Sequence, residues 1–146
     1  METKTELKIS VIVCTYNRAN ILSRVLQTLG EQTLPLKEFE IIVVDNNSTD
    51  NTRQIVENFF ENIHNLRYCF EARQGLSHAR NRGWQEARGS YVGYIDDDAK
   101  APAQWLSVAH QIINEMQPAV FGGPYYAYYD SPEPKWWKDS YQSHVQ

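Results

Sequence analysis

The chain has 146 residues, 42% hydrophobic and 22% charged, which fits one globular domain with a real core and leaves little room for two. A formal charge of −4 argues against a nucleic-acid binder, and the Lys and Arg residues are too scattered to form a polybasic membrane surface. The cysteines and histidines lack zinc-type spacing, Met1 to Lys8 is polar rather than signal-like, and no apolar run reaches membrane-spanning length.

These features point to a reducing, cytoplasmic setting, with Cys14 and Cys69 as two buried thiols in strands rather than a disulfide. Along the chain, Lys8 to Cys14 is a short β-branched run typical of a buried strand, and it ends at Thr15-Tyr16-Asn17-Arg18. Ile21, Leu22, Val25, Leu26 and Leu29 then form the stripe of an amphipathic helix, which Gly30 and Pro35 bring to an end. Phe39 to Val44 is a second buried strand, ending in Asp45. Asn46 to Asp50 follows as a turn, with Ser48 or Thr49 expected to cap a helix that turns Ile55, Val56, Phe59, Phe60 and Ile63 inward.

Leu66 to Phe70 reads as a third strand. A helix from about Leu76 to Ala87 presents the small residues Ala79, Gly83 and Ala87, a face suited to close packing on a sheet. Tyr91-Val92-Gly93-Tyr94-Ile95 is a further strand and ends abruptly in Asp96-Asp97-Asp98. A helix over Pro102 to Met116 and a strand over Ala119 to Gly123 are expected next, then loop from Tyr125 to Gln146 with a weak strand at Tyr125 to Tyr129. Strands alternating with helices imply an α/β fold with a mostly parallel, doubly wound sheet flanked by helices.

In such sheets ligands bind beyond the carboxyl ends of the strands, and the Thr15 cluster, Asp45 and Asp96 to Asp98 all fall there. Neither a phosphate-cradling G-x-x-x-x-G-K-[ST] loop nor a G-x-G-x-x-G dinucleotide turn is present. Phosphates at this edge are therefore expected to be held through a metal. Three adjacent carboxylates repel one another and are costly to desolvate unless a cation neutralises them, and Mg²⁺ or Mn²⁺ with oxygen ligands suits that need. The plainer alternative is a solvated acidic turn that caps the following helix. Asp45 is either a turn former or an acceptor for a base or ribose, and Tyr16 either stacks on a base or covers the sheet edge. Arg80, near the start of its helix, either favours a phosphate or is an exposed helix charge.

Taken together, Ile9 to Arg18, Ile42 to Thr52, Gly75 to Gly83 and Tyr94 to Asp98 resemble, in order and spacing, the family 2 inverting glycosyltransferases, which have the GT-A fold. The resemblance covers about residues 8 to 124 and marks that span as a nucleotide-sugar-binding core, with 125 to 146 the irregular start of an acceptor-side region. It implies a nucleotide-diphosphate-sugar donor, most often a UDP-sugar, a saccharide or glycoconjugate acceptor, and Mn²⁺ or Mg²⁺. On the family pattern Thr15, Tyr16 and Asn17 line the nucleoside pocket, Asp45 contacts the base, and Arg80 lies by base and phosphates. Asp96 and Asp97 approach ribose and phosphate, and Asp98, with Asp96, ligates the metal.

Inversion also requires a carboxylate base, which in the family lies well downstream of the metal motif. Asp130, Glu133 and Asp139 are the late acids, and the pattern assigns the base to none of them. The chain thus reads as the N-terminal portion of a longer enzyme, or as a fragment that binds the nucleotide diphosphate without turnover. Trp136 and Trp137 either stack on a sugar, meet a membrane surface at its inner face, or cover a partner segment. Homo-oligomerisation is compatible with the sequence. A metal-dependent nucleotidyltransferase is the competing class, but Thr15-Tyr16-Asn17-Arg18 is not its glycine-rich, basic signature.

Overall fold

Strand β1 (Ile9–Thr15) sits inside a four-stranded sheet because its side chains are apolar on both faces, as a strand covered from both sides requires. It pairs in parallel with β2 (Phe39–Asp45) on one side and with β4 (Tyr91–Tyr94) on the other, while β3 (Leu66–Phe70) pairs in parallel with β2. The order is β3-β2-β1-β4. The computed structural model describes residues 7–132 and Trp136.

Alternate residues of each strand feed two separate cores. Ile9, Val11, Val13, Ile41 and Val43 face helices α1 (Ala19–Gly30), α2 (Thr52–Glu57) and α4 (Trp105–Met116). Of the stripe read from the sequence of α1, Ile21 is only partly buried, whereas Leu22, Val25, Leu26 and Leu29 are fully enclosed, each contributing about 1.5–3 kcal/mol of gross hydrophobic stabilisation. On the other face Ile12, Ile42, Val44 and Cys69 meet α3 (Leu76–Glu86) through Ala79. A methyl group on Gly83 would lie 2.5 Å from Ile12 Cγ2, so α3 reaches β1 only because that position has no side chain.

At the opposite end of the sheet from Asp45, a buried polar cluster ties α3 to the strands. Glu40 accepts from Ser10 Oγ at 2.7 Å, Arg67 Nη1 at 2.9 Å and the Arg88 amide at 2.7 Å. These bonds outweigh burial and hold the Glu40 carboxyl below its usual range.

Several expected elements differ. No strand forms over 119–123 or 125–129: Val120 is 86% exposed, so the run has no surface to pack on, and Gly122-Gly123-Pro124 disfavours a ladder. Helix α2 ends at Glu57, where the bonding slips from Asn58 N→Gln54 O to Phe59 N→Val56 O and Phe60 N→Glu57 O; Phe60 is consequently exposed. Ser48 and Thr49 do not cap it. Asp50 Oδ1 instead accepts from the Thr52 amide at 3.0 Å, next to the N-cap residue Asn51. Helix α4 begins at Trp105 rather than Pro102. Both cysteines are free, and Cys14 is only half-buried where a buried thiol is expected. Glu133, Trp137 and Asp139 lie outside the described residues.

Candidate functional site at the carboxyl edge of the sheet

The register brings Thr15, Asp45 and Phe70 to one level across neighbouring strands, so the loops after β1, β2 and β3 leave the sheet together. Between them and the turn after β4 opens a cavity of about 580 Å³. Thr15, Tyr16, Asp96, Asp97 and Asp98 line it, as the sequence leads one to expect. Thr15 is 3% exposed, yet its Oγ1 has no hydrogen-bond partner among the described residues. Buried polar atoms in folded proteins are normally paired, so this hydroxyl suits a ligand atom.

Asn17, Asp45 and Arg80 are not among the residues that line the cavity. Asn17 adopts a left-handed conformation (φ 51°), which Asn tolerates, and bridges the first two loops. Its amide donates to Ser48 Oγ at 2.9 Å and its Oδ1 accepts from the Thr49 amide at 2.7 Å. Asp45 is buried and accepts from the Ser48 amide at 2.9 Å and from Tyr68 Oη at 2.7 Å. Burial, and then that bond to Asp45, push the Tyr68 phenol well up, so it remains a donor at neutral pH. Arg80 is exposed, with its guanidinium 5.8 Å from the centre of the Tyr94 ring.

Among the lining residues that sequence reasoning did not select are Cys14, Arg18, Asn46, Gln74, Gly75 and Leu76. Asn46 follows Asp45 and organises one wall. Its Nδ2 donates to the carbonyls of Glu71 (3.2 Å) and Arg73 (2.7 Å), and its Oδ1 accepts from the Gly75 amide at 2.8 Å. Those three bonds fix the loop that enters α3, where Gly75 takes φ 133°, a conformation that other residues rarely adopt. No short motif announces such a role; the signal is only a polar residue directly after a buried strand. Burial, opposed by Arg80 and reinforced by Asp96 and Asp97, pushes the Cys14 thiol up to about 11.

The acidic turn itself is not uniform. Asp97 is buried, whereas Asp96 and Asp98 are exposed. Arg18 Nη1 donates to Asp97 Oδ1 at 2.9 Å and to Asp98 Oδ2 at 3.2 Å. Because α4 starts only at Trp105 with Gln104 at its N-cap, the three acids do not cap that helix. Tyr128 Oη donates to the Asp98 carbonyl, Lys100 Nζ lies 4.0 Å from the Tyr128 ring centre, and Asp130 pairs with Arg24 of α1. The segment after α4 therefore returns to the acidic turn.

No group of three or more His, Cys, Asp or Glu side chains is placed to enclose a metal among the described residues. Asp96 and Asp98 offer a different arrangement: one or two hard oxygen donors at the edge of a cavity, leaving the other coordination positions to ligand oxygens and water. That is the usual way of holding Mg²⁺ or Mn²⁺ with a phosphate ligand, and the donor set fits it.

The model of the family described as Glycosyl transferase family 2 matches residues 10–145. Glycosyltransferase GlyA of Streptococcus pneumoniae is 36% identical over 124 residues, which is 85% of this chain and 18% of that protein. The structure of S. aureus TarS 1-349 in complex with UDP superposes with a TM-score of 0.72 at 35% identity, covering 76% of this chain and 33% of that one. A mannosyltransferase, PcManGT from Pyrobaculum calidifontis, in complex with GDP-Man and Mn²⁺, gives a TM-score of 0.68 at 32% identity over 75% of this chain and 33% of its own. The chain thus spans a third or less of the length of each, and its parallel sheet flanked by helices is that of the GT-A glycosyltransferases.

Proposed function

The chain belongs to glycosyl transferase family 2, and from that premise we propose that it transfers a sugar from a nucleotide-diphosphate-sugar to a saccharide or glycoconjugate. A UDP-sugar is the first candidate donor, transfer proceeds with inversion, and Mn²⁺ or Mg²⁺ is required. One observation carries the reading: the buried Thr15 hydroxyl, unpartnered among the described residues, shares its cavity with the carboxylates of Asp96, Asp97 and Asp98. An unmatched buried hydroxyl costs about 1–3 kcal/mol, and a polar atom of a bound nucleoside offsets that cost. The UDP bound to TarS, and the GDP-Man and Mn²⁺ bound to PcManGT, support a nucleotide-sugar in the corresponding fold.

In this reading Thr15 bonds the nucleoside and Tyr16, 46% exposed, supplies a stacking face. Asn17 and Asp45 shape the nucleoside side; each Asp45 oxygen keeps a second lone pair for a base N–H. Arg80 serves base and phosphates from the rim, and Asp96 and Asp97 meet ribose and phosphate. Asp98 and Asp96 would hold the divalent cation, which would supply Lewis-acid stabilisation of the charge on the departing diphosphate. The acceptor oxygen attacks the anomeric carbon as the bond to the diphosphate breaks, and its proton passes to a carboxylate base. Asp130 pairs with Arg24, and the base is assigned to no residue of the chain.

The test is turnover. The chain is incubated with Mn²⁺, a panel of UDP-glucose, UDP-N-acetylglucosamine and GDP-mannose, and saccharide acceptors, with nucleoside diphosphate release as the readout. Release from at least one donor, lost in Asp98→Ala, is expected. Binding without release would make the chain a donor-binding unit rather than a transferase, and neither binding nor release would sink the reading.

A further inference from the structure

Arg18 occupies a position where local rules favour a different residue. It is the N-cap of α1, a place that suits Ser, Thr, Asp or Asn and where the helix dipole disfavours a cation. Its side chain makes no capping bond; Asp50 Oδ2 does that work instead, accepting from the Ala19 amide at 3.1 Å. The guanidinium crosses to the turn after β4, nearly eighty residues away in sequence, and meets Asp97 and Asp98.

The two contacts are unequal. Asp97 has a side chain only 8% exposed, so it needs a permanent cationic partner; Asp98 is 59% exposed and exchanges partners easily. Both bonds come from Nη1, and the guanidinium carries three further N–H donors on Nε and Nη2, in a geometry suited to phosphate oxygens. Arg18 lines the same cavity as the Thr15 hydroxyl, which has no partner among the described residues and points independently to a ligand there.

We propose that Arg18 is the built-in counterion of the aspartate run and exchanges Asp98 for the diphosphate of an arriving donor, which frees Asp98 for the divalent cation. The inference rests on the donor reading above. Arg18 and the cation compete for Asp98, and the diphosphate removes the competitor while Asp97 stays paired. Cation and nucleoside diphosphate consequently bind with a positive coupling larger than their direct contact would give.

Mn²⁺ binding to the full chain, followed by electron paramagnetic resonance with and without UDP, tests this in wild type, Arg18→Gln and Arg18→Lys. Arg18→Gln removes the competitor, so Mn²⁺ alone should bind roughly two- to fivefold more tightly, the range expected from loss of one exposed ion pair. The enhancement of Mn²⁺ affinity by UDP should shrink in the same variant, and Arg18→Lys, which keeps the charge but not the fork of N–H donors, should match wild type in Mn²⁺ affinity alone and gain less from UDP. If Arg18 merely shapes the turn, Arg18→Gln weakens Mn²⁺ binding instead. That result, or equal or undetectable Mn²⁺ affinities in wild type and Arg18→Gln, overturns the proposal while UDP binding by wild type keeps the donor reading. Absence of UDP binding in every protein, Mn²⁺ present, removes the donor reading and this proposal together.

Discussion

Replacing Gly83 by Ala tests whether the seat of α3 on β1 is as tight as it looks. The new methyl would lie 2.5 Å from Ile12 Cγ2, 3.0 Å from Cδ1 and 3.2 Å from Cγ1, where ordinary carbon contacts are about 3.5–4.0 Å. Ile12 is fully buried in β1, between β2 and β4, and its branched side chain has few rotamers to escape into. The helix must lift by about 1 Å or Ile12 must leave its rotamer, at a cost of about 1–3 kcal/mol. Ala recovers about 1 kcal/mol of helix propensity over Gly. Because 2.5 Å is a severe overlap, the upper part of the range applies, and a net loss of about 1–2 kcal/mol follows. Urea unfolding measures it directly, and a fall in Tm of about 3–6 °C should accompany it. Gly93→Ala is the control, since its methyl meets nothing closer than Trp105 Cη2 at 4.0 Å. Nucleotide binding should weaken in the first variant as well, because α3 carries Leu76 and Ala79 on the cavity wall. A Gly83→Ala protein as stable as Gly93→Ala would refute the close-packing argument.

Three further outcomes follow from the polar contacts. Asn46→Asp keeps the acceptor for the Gly75 amide but sets a carboxylate against the Glu71 and Arg73 carbonyls, so it should lose about 1–3 kcal/mol in urea unfolding. Glu40 has a carboxyl held below its unfolded value by Ser10, Arg67 and the Arg88 amide despite burial. Its contribution is therefore complete above the ordinary glutamate pKa and is lost as the pH falls through the lower folded value. Urea midpoints taken from neutral to acidic pH should fall less steeply in Glu40→Gln than in wild type; parallel curves would remove Glu40 from the account. Asp98→Ala, at an exposed position, should leave the melting temperature within about 2 °C while removing the metal-dependent part of nucleotide binding, and unchanged metal dependence would move that role to Asp96.

The two central strands are legible because they are buried on both faces and therefore read as largely apolar runs, from Ile9 to Cys14 and from Phe39 to Val44, interrupted only by Ser10 and Glu40. Helix α1 was equally plain in its stripe of Leu22, Val25, Leu26 and Leu29. Beyond Met116 the same reasoning failed, since Ala119 to Gly123 is β-prone in composition but finds no sheet edge to pair with. Composition cannot supply a partner strand. At the site, carboxylates at a strand end were conspicuous, and Thr15 and Tyr16 were found from the same edge. Arg18 and Asn46 were not selected, because their importance lies in contacts with loops that are distant in sequence: Asp97 for one, Gly75 for the other. Asp45 and Asn17 show the reverse, being conspicuous in sequence yet engaged with Tyr68, Ser48 and Thr49 and absent from the cavity lining.

A calorimetric titration of UDP, GDP, dTDP and CDP into the chain, each with and without Mn²⁺, bears most directly on the cavity beside Thr15 and Asp96 to Asp98. At least one nucleoside diphosphate should bind, and Mn²⁺ should strengthen that binding. If none of the four binds with Mn²⁺ present, the cavity is not a nucleotide-sugar site.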